Sequence, residues 1–158
     1  MNTTITDRTI LLSKKGMKEL KKSIHQLDHD RKKALQSLRE IDKSFVRDER
    51  LNRIDKLSIL EGIESELADK QLALKNARLL PAKRTRLQVA IGSVVDLIDK
   101  SGHLFRYTIV DSIEANPSDG RISTDSPLGQ SLIGRTVRDI IEWRNGKYFN
   151  QFQLVRIM

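Results

Sequence analysis

The chain has 158 residues, with 29 Lys and Arg against 21 Asp and Glu, a formal charge of +8 and no cysteine. A chain without cysteine has no disulfides and no thiolate metal sites, and no apolar run approaches the ~20 residues of a membrane span. We therefore expect a cytoplasmic protein. The basic balance favours an acidic partner, either nucleic acid or a negatively charged protein groove.

The first half of the chain is predicted to be a helical hairpin. Apolar residues recur with alternating three- and four-residue spacing from residue 17 to residue 45, and Ser13 precedes them as an N-cap. A second seam begins with Ile54, Leu57 and Leu60 and continues to residue 77. Each seam is too narrow to stabilise a lone helix, and both lose register around residues 44–53. We predict two antiparallel helices with their tip at about residues 44–50; one continuous helix in a homodimeric coiled coil is the alternative.

The second half is predicted to be a small antiparallel sheet packed on one helix. After residue 80 the apolar pattern changes to strand-like runs at residues 87–98, 104–111, 121–124, 137–143 and 148–157, separated by turn signals. A single short helix fits residues 127–133, with Ser126 as its N-cap and Pro127 at its first position. Its expected buried face consists of Leu128, Leu132 and Ile133. The predicted fold is α+β, with a coiled-coil hairpin over residues 1–80 and a globular domain over residues 81–158.

Two stretches of the sequence, together with this order of elements, resemble the Gre-type bacterial transcript-cleavage factors (GreA/GreB transcription elongation factors). The more specific stretch is ISTDSPLGQSLIG, residues 122–134, which is similar to the family's Ser-Pro helix segment ending in Leu-Ile-Gly. The second is LLSKKGMKELKKSIHQL, residues 11–27, which is similar to the opening of the family's first helix. The resemblance implies that the globular domain is FKBP-like, that is, similar in fold to FK506-binding proteins.

The resemblance also implies a function. In this family the globular domain docks on the rim of the secondary channel of RNA polymerase, and the hairpin carries acidic tip residues to the polymerase active site. There they help to hold a second magnesium ion while the polymerase cleaves its own backtracked RNA. We thus expect a monomeric elongation factor that is not itself an enzyme and has no intrinsic metal or cofactor. It would share Mg²⁺ with the polymerase and meet nascent RNA and DNA within the elongation complex.

The rim contact maps onto three residues of the more specific stretch. By the resemblance, Asp125, Ser126 and Pro127 are the candidates for touching RNA polymerase. Helix capping alone is the structural alternative for Ser126 and Pro127, and both roles are compatible.

The tip departs from the family's pattern. Active members carry an Asp and a Glu three residues apart, whereas this chain has FVRDERLN, residues 45–52, in which Asp48 and Glu49 are adjacent between Arg47 and Arg50. Asp42 is the third candidate carboxylate. Neighbouring helical positions diverge by ~100°, and the two arginines compete with any cation for the carboxylates. The sequence therefore favours occupation of the channel without productive cleavage.

Basic residues accompany the tip. Residues 14–80 contain 17 basic and 12 acidic side chains, and the candidates for facing nucleic acid are Arg39, Arg47, Arg50 and Arg53. In the family a basic patch on the hairpin meets the 3′ segment of the RNA, and arginine suits phosphate because it binds it bidentately. A solvated helix face is the alternative interpretation of these residues.

Two other functions are compatible with the sequence. A basic rod suits a free-standing coiled-coil protein that binds nucleic acid. An FKBP-like fold raises prolyl isomerase activity, which requires a cleft lined with aromatic rings. Strand alternation commits some of the available rings to the core, and fold similarity alone does not carry function. The rings in question are Phe105, Tyr107, Trp143, Tyr148, Phe149 and Phe152.

Overall fold

The computed structural model describes residues 8–42, 49–83 and 86–158, and the side chains of Asp42, Glu49 and Asn145 are not described. The chain divides into two compact units. The first contains Met17–Ala77, and the second combines Ile10–Gly16 with Arg78–Met158. Among the described residues, no helix has both the length and the apolarity that crossing a membrane requires.

The first unit is built from two long helices, α1 (Lys14–Asp42) and α2 (Glu49–Asn76). Two hydrogen bonds fix their direction: Lys70 Nζ donates to Ser23 Oγ at 2.8 Å, and Lys56 Nζ donates to Ser37 Oγ at 2.7 Å. A step of 14 residues forward on α1 therefore corresponds to a step of 14 residues back on α2. The helices run antiparallel, which confirms the predicted hairpin. The predicted tip overlaps residues 43–48, which lie outside the described residues.

The seam between the helices holds over only part of its predicted length. Leu20 and Leu38 on α1 and Leu60 and Leu67 on α2 are buried. Ile54 and Leu57, however, are 61% and 38% exposed, so their assignment to the seam was wrong. Each step of three residues turns a helix by 300°, and two such steps leave Ile54 about 120° away from Leu60. Ile54 therefore does not face the partner helix.

The second unit contains a five-stranded sheet, the α-helix α3 (Pro127–Leu132) and the three-residue 3-10 helices Ser112–Glu114 and Pro117–Asp119. The strands are β3 (Val94–Asp99), β4 (Leu104–Val110), β5 (Arg121–Ser123), β6 (Ile140–Asn145) and β7 (Tyr148–Ile157), in the order β5-β4-β3-β7-β6. Neighbours are antiparallel except β4 and β5, which are parallel. This confirms the predicted sheet-plus-helix domain, with one parallel pair that the sequence did not indicate.

Two three-residue strands were missed by the sequence analysis. The strands β1 (Ile10–Leu12) and β2 (Ala77–Leu79) form a separate two-stranded sheet. The N–H of Leu80 extends this pairing by donating to the carbonyl of Leu12 at 2.9 Å. β2 occupies positions that were predicted to belong to the end of the second helix. It was not recognised because three residues are too few to show a period of two.

Three predicted boundaries in the second unit were wrong for local reasons. Residues 87–93 are not part of β3, and Gly92 has φ = 87°, which a strand does not accommodate. Strand β6 begins at Ile140 rather than residue 137, because Arg138 has φ = 81° and turns the chain. α3 ends at Leu132, and Ile133 is 42% exposed rather than buried.

The core of the second unit lies between α3 and one face of the sheet. Side chains that alternate along the strands point into it, and the fully buried ones are Val95, Leu97, Ile109, Ile141 and Leu154, which Leu132 of α3 joins from the helix side. Four aromatic rings continue this core as a ladder of ring contacts. Trp143 packs on Phe152 with 5.1 Å between ring centroids, Phe152 meets Phe105 edge-on at 5.5 Å, and Phe105 stacks with Tyr107 at 6.4 Å. Such contacts fix ring orientation as well as burying apolar area.

Candidate functional site

The segment that leads into α3 is held rigidly by a cap. Ser126 Oγ accepts a hydrogen bond from the N–H of Gly129 at 3.0 Å and donates one to the carbonyl of Ser123 at 2.7 Å. Pro127 occupies the first helical position, where no N–H is needed. A Cβ on Gly129 would collide with the Ser123 carbonyl, so only glycine fits there. The predicted capping role of Ser126 is thereby confirmed.

Asp125 stands beside this cap at the surface. Its side chain is exposed, and its backbone N–H donates to Ser123 Oγ at 3.0 Å. Pro127 is exposed as well, so a charged and an apolar side chain are presented together on a fixed backbone. The three residues predicted for the rim contact are therefore contiguous, with Asp125 and Pro127 exposed on either side of the half-buried Ser126, and their role in binding stays a prediction.

A cavity of about 460 Å³ opens next to these residues. Its walls come from β4, β5, the start of α3 and β6, and they are mainly apolar or aromatic. Ser123, Ser126 and Arg144 supply the polar side chains of the lining. The apolar and aromatic side chains of the lining are Tyr107, Ala115, Pro117, Ile122, Pro127, Leu128 and Trp143. An apolar side chain offered by a partner suits such a cavity.

The aromatic walls of the cavity are fixed by the core beneath it. Tyr107 and Trp143 line the cavity and are also the two ends of the ring ladder. Sequence analysis gave no reason to prefer an open aromatic cleft over a filled core, and in the structure these rings serve both purposes. The sequence can predict which side chains of two strands point towards the core. The cavity between those side chains, however, depends on α3 and on the loop around Pro117.

The candidate residues of the hairpin end are placed only in part. Asp42 is the last residue of α1 and Glu49 is the first of α2. Asp48 and Arg47 lie outside the described residues. Among the other basic candidates, Arg39 lies in the last turn of α1, whereas Arg50 and Arg53 lie in the first turns of α2, and all three are exposed. The antiparallel register puts these three arginines at the same end of the hairpin.

Sequence comparisons relate the chain to known proteins. The sequence profile of the family described as "Transcription elongation factor, GreA/GreB, C-term" matches residues 84–157. Transcription elongation factor GreA of Thermoanaerobacter pseudethanolicus is 40% identical over 81 residues, which cover 50% of this chain and 52% of that protein. The chain thus spans about half the length of this relative.

A second relative is matched over most of its length. Transcription elongation factor GreA of Shouchella clausii is 30% identical over 131 residues, covering 81% of this chain and 83% of that protein. Among solved structures, GreA factor homolog 1 (Gfh1) of Thermus thermophilus aligns over 96% of this chain and 99% of its own, with 26% identity and a TM-score of 0.46. From the sequence matches, the chain belongs to the GreA/GreB family of transcription elongation factors.

Proposed function

We propose that the protein binds RNA polymerase, docking through the cavity beside Asp125, Ser126 and Pro127 while the hairpin enters the secondary channel. In this way it modulates the elongation of paused or backtracked complexes and is not an enzyme by itself. The observation that carries the proposal is the preformed 460 Å³ cavity with an exposed carboxylate at its side. Family membership supplies the partner, and the cavity supplies a place for it to bind.

The chemistry of the docking site defines what the partner must offer. An apolar side chain buried in the aromatic cavity would provide most of the affinity, as the central residues of protein interfaces do. A basic group on the partner would pair with Asp125 at the edge of the cavity and set the orientation. Because the walls are held by the ring ladder and the Ser126 cap, little ordering entropy is lost on binding.

The length of the hairpin suits its proposed entry into a channel. α1 has 29 residues and α2 has 28, so each is ~42 Å long at ~1.5 Å per residue. Such a rod would carry the exposed Arg39, Arg50 and Arg53 to nascent RNA. Any magnesium ion would belong to the polymerase. We infer from the adjacency of Asp48 and Glu49 that the tip does not complete a second magnesium site, since Mg²⁺ demands near-octahedral oxygen ligands.

The docking site is tested by substituting Asp125. We expect Asp125→Ala to weaken binding to core RNA polymerase about tenfold with an unchanged unfolding midpoint, because the side chain is exposed and flanks the cavity. The matched control is Glu142→Ala, which removes the same charge from the same unit, where Glu142 is exposed and accepts a bond from Gln151. The control should bind normally at 200 mM salt. Equal affinities for wild type and the Asp125 variant would remove this docking assignment.

A further inference from the structure

A row of basic residues follows one face of α1, from the second turn of the helix to just past its middle. Its members are three or four residues apart except for the adjacent Lys21 and Lys22, and at ~100° per residue all six lie within about 120° of the helix circumference. All of them are exposed, and the buried Leu20 lies on the opposite side. This basic row consists of Lys18, Lys21, Lys22, His25, His29 and Lys33. From Lys18 to Lys33 it extends ~22 Å at ~1.5 Å per residue.

The lysines at the start of the row are not neutralised by Asp28 of α1. The Asp28 carboxylate forms ion pairs with Arg31 at 3.0 Å and with Lys32 at 2.7 Å, so it is already paired with two other cations. Within the described parts of the chain, Lys18, Lys21 and Lys22 form no ion pair. Three neighbouring ammonium groups therefore face solvent together.

The helix beside the row carries the opposite charge. The bond from Lys70 to Ser23 shows that this part of α1 lies against the second half of α2. Residues 60–75 of α2 contain four acidic and two basic side chains, whereas residues 18–33 of α1 contain six basic and three acidic ones. The base half of the hairpin thus has a basic side and an acidic side, and a polyanion is attracted to only one of them.

The composition of the row selects among polyanions. Protein interfaces rely on Tyr, Trp, Phe, Met and Arg and are depleted in Lys, and this row offers lysines and two histidines. Proteins that bind single-stranded nucleic acid stack its bases mainly on large aromatic side chains, and the row contains no Phe, Tyr or Trp. Duplex DNA needs only cations along its backbone, where one negative charge occurs per ~1.7 Å. A straight row with one basic position per ~5.4 Å helical turn fits that backbone without reading sequence.

We propose that the basic row of α1 binds the phosphate backbone of duplex DNA, independently of sequence. This contact is separate from the proposed docking cavity, and the three lysines at its start, Lys18, Lys21 and Lys22, lie in the other half of α1 from Arg39. It gives the protein a second, salt-sensitive interaction that holds it near the template.

The proposal is tested with the full chain and a fluorescent 30-base-pair duplex of arbitrary sequence. Engagement of three phosphates predicts that the Kd rises about 40-fold between 50 and 200 mM salt. Gln replaces Lys with little change in helix propensity, so the variant Lys18→Gln, Lys21→Gln, Lys22→Gln should fold normally. It should bind at least tenfold more weakly at 50 mM salt and lose most of the salt dependence.

The control removes the same charge elsewhere. Its three substituted residues are exposed and lie in the second unit: Lys83→Gln, Lys100→Gln and Lys147→Gln. The control should bind within twofold of wild type. An equal loss in both variants would reduce the effect to net charge and overturn the proposal. Absence of binding at 50 mM salt, or tighter binding of single-stranded RNA that responds to the same three lysines, would overturn it too.

Discussion

Replacing glycine by alanine should have opposite effects on stability in the two long helices. Gly16, in the first turn of α1, is buried, and a Cβ there would collide with the carboxylate of Glu114. That carboxylate is itself buried and accepts hydrogen bonds from the N–H of Ser13 at 2.8 Å and from the Ser13 hydroxyl. Gly62, in the middle of α2, is exposed and has no atom within 4 Å of the position of an added Cβ.

The expected magnitudes follow from these surroundings. Alanine is favoured over glycine inside a helix by ~1 kcal/mol, so Gly62→Ala should stabilise the first unit by about that amount. In Gly16→Ala the same gain is opposed by displacement of the Glu114 carboxylate. Hydrogen bonds to a charged group contribute ~1.5–3 kcal/mol, and both bonds to Ser13 are lost. Loss of both bonds, less the gain in helix propensity, gives an expected net destabilisation of about 2–5 kcal/mol in the second unit.

Urea unfolding followed by two probes measures both effects. Trp143 is the single tryptophan and lies against the core of the second unit, so its fluorescence reports the unit that contains Gly16 and Glu114. Far-UV circular dichroism is dominated by the two long helices. If Gly16→Ala raised the free energy of unfolding as Gly62→Ala does, the close approach of Glu114 to Gly16 would not contribute to stability. A Glu114→Ala variant, in which the added methyl at residue 16 meets no carboxylate, should restore the usual gain.

Three further predictions concern other sites. Asp96 accepts two hydrogen bonds from Arg106, at 2.7 and 3.0 Å, which hold the pKa of the carboxyl below its usual value. Asp96→Asn should therefore lower the free energy of unfolding by about 1 kcal/mol at pH 7, a value low in the usual range because the Arg106 side chain is 59% exposed. In urea titrations this difference should vanish as the pH falls through the lowered pKa. A cost that persists at low pH would contradict the ion pair as its source. Arg138→Gly should raise the free energy of unfolding by about 0.5 kcal/mol, since φ = 81° strains any side chain; a lowered free energy of unfolding would show that the arginine contributes more than its strain costs. In a backtracked polymerase complex the wild-type protein should not accelerate RNA cleavage, and strong stimulation that disappears on replacing Asp48 and Glu49 by alanine would show that the tip is catalytic.

The fold could be predicted from the sequence wherever a long periodic pattern existed. The seam containing Leu20 and Leu38 predicts α1, and the alternation in residues 148–157 predicts β7 without error at either end. The errors lie where a single backbone angle decides the structure. No residue pattern around Arg138 predicts its left-handed conformation. The β-branched run before Val94 has the pattern of a strand, but the positive φ of Gly92 interrupts it.

The candidate site was predictable in its local part and not in its shape. The pair Ser126 and Pro127 predicts a capped helix, because capping depends on residues that are adjacent in the sequence. The cavity depends on side chains that are distant in sequence, such as Tyr107 and Trp143, together with the space that α3 leaves between them. Glu114 was not singled out either, since its partner Ser13 lies 101 residues earlier. Long-range partners of this kind leave no local pattern.

The position of β7 in the sheet has a consequence for biosynthesis. β7 pairs with both β3 and β6, yet residues 148–157 are translated after every other strand. Until they emerge, β3 presents an unpaired edge, β6 has no hydrogen-bonded neighbour among the described strands, and the core lacks Phe152, Leu154 and Ile157. An unpaired edge next to exposed apolar side chains invites association with other chains. Translational stalling shortly before residue 148 should therefore yield an aggregation-prone nascent chain.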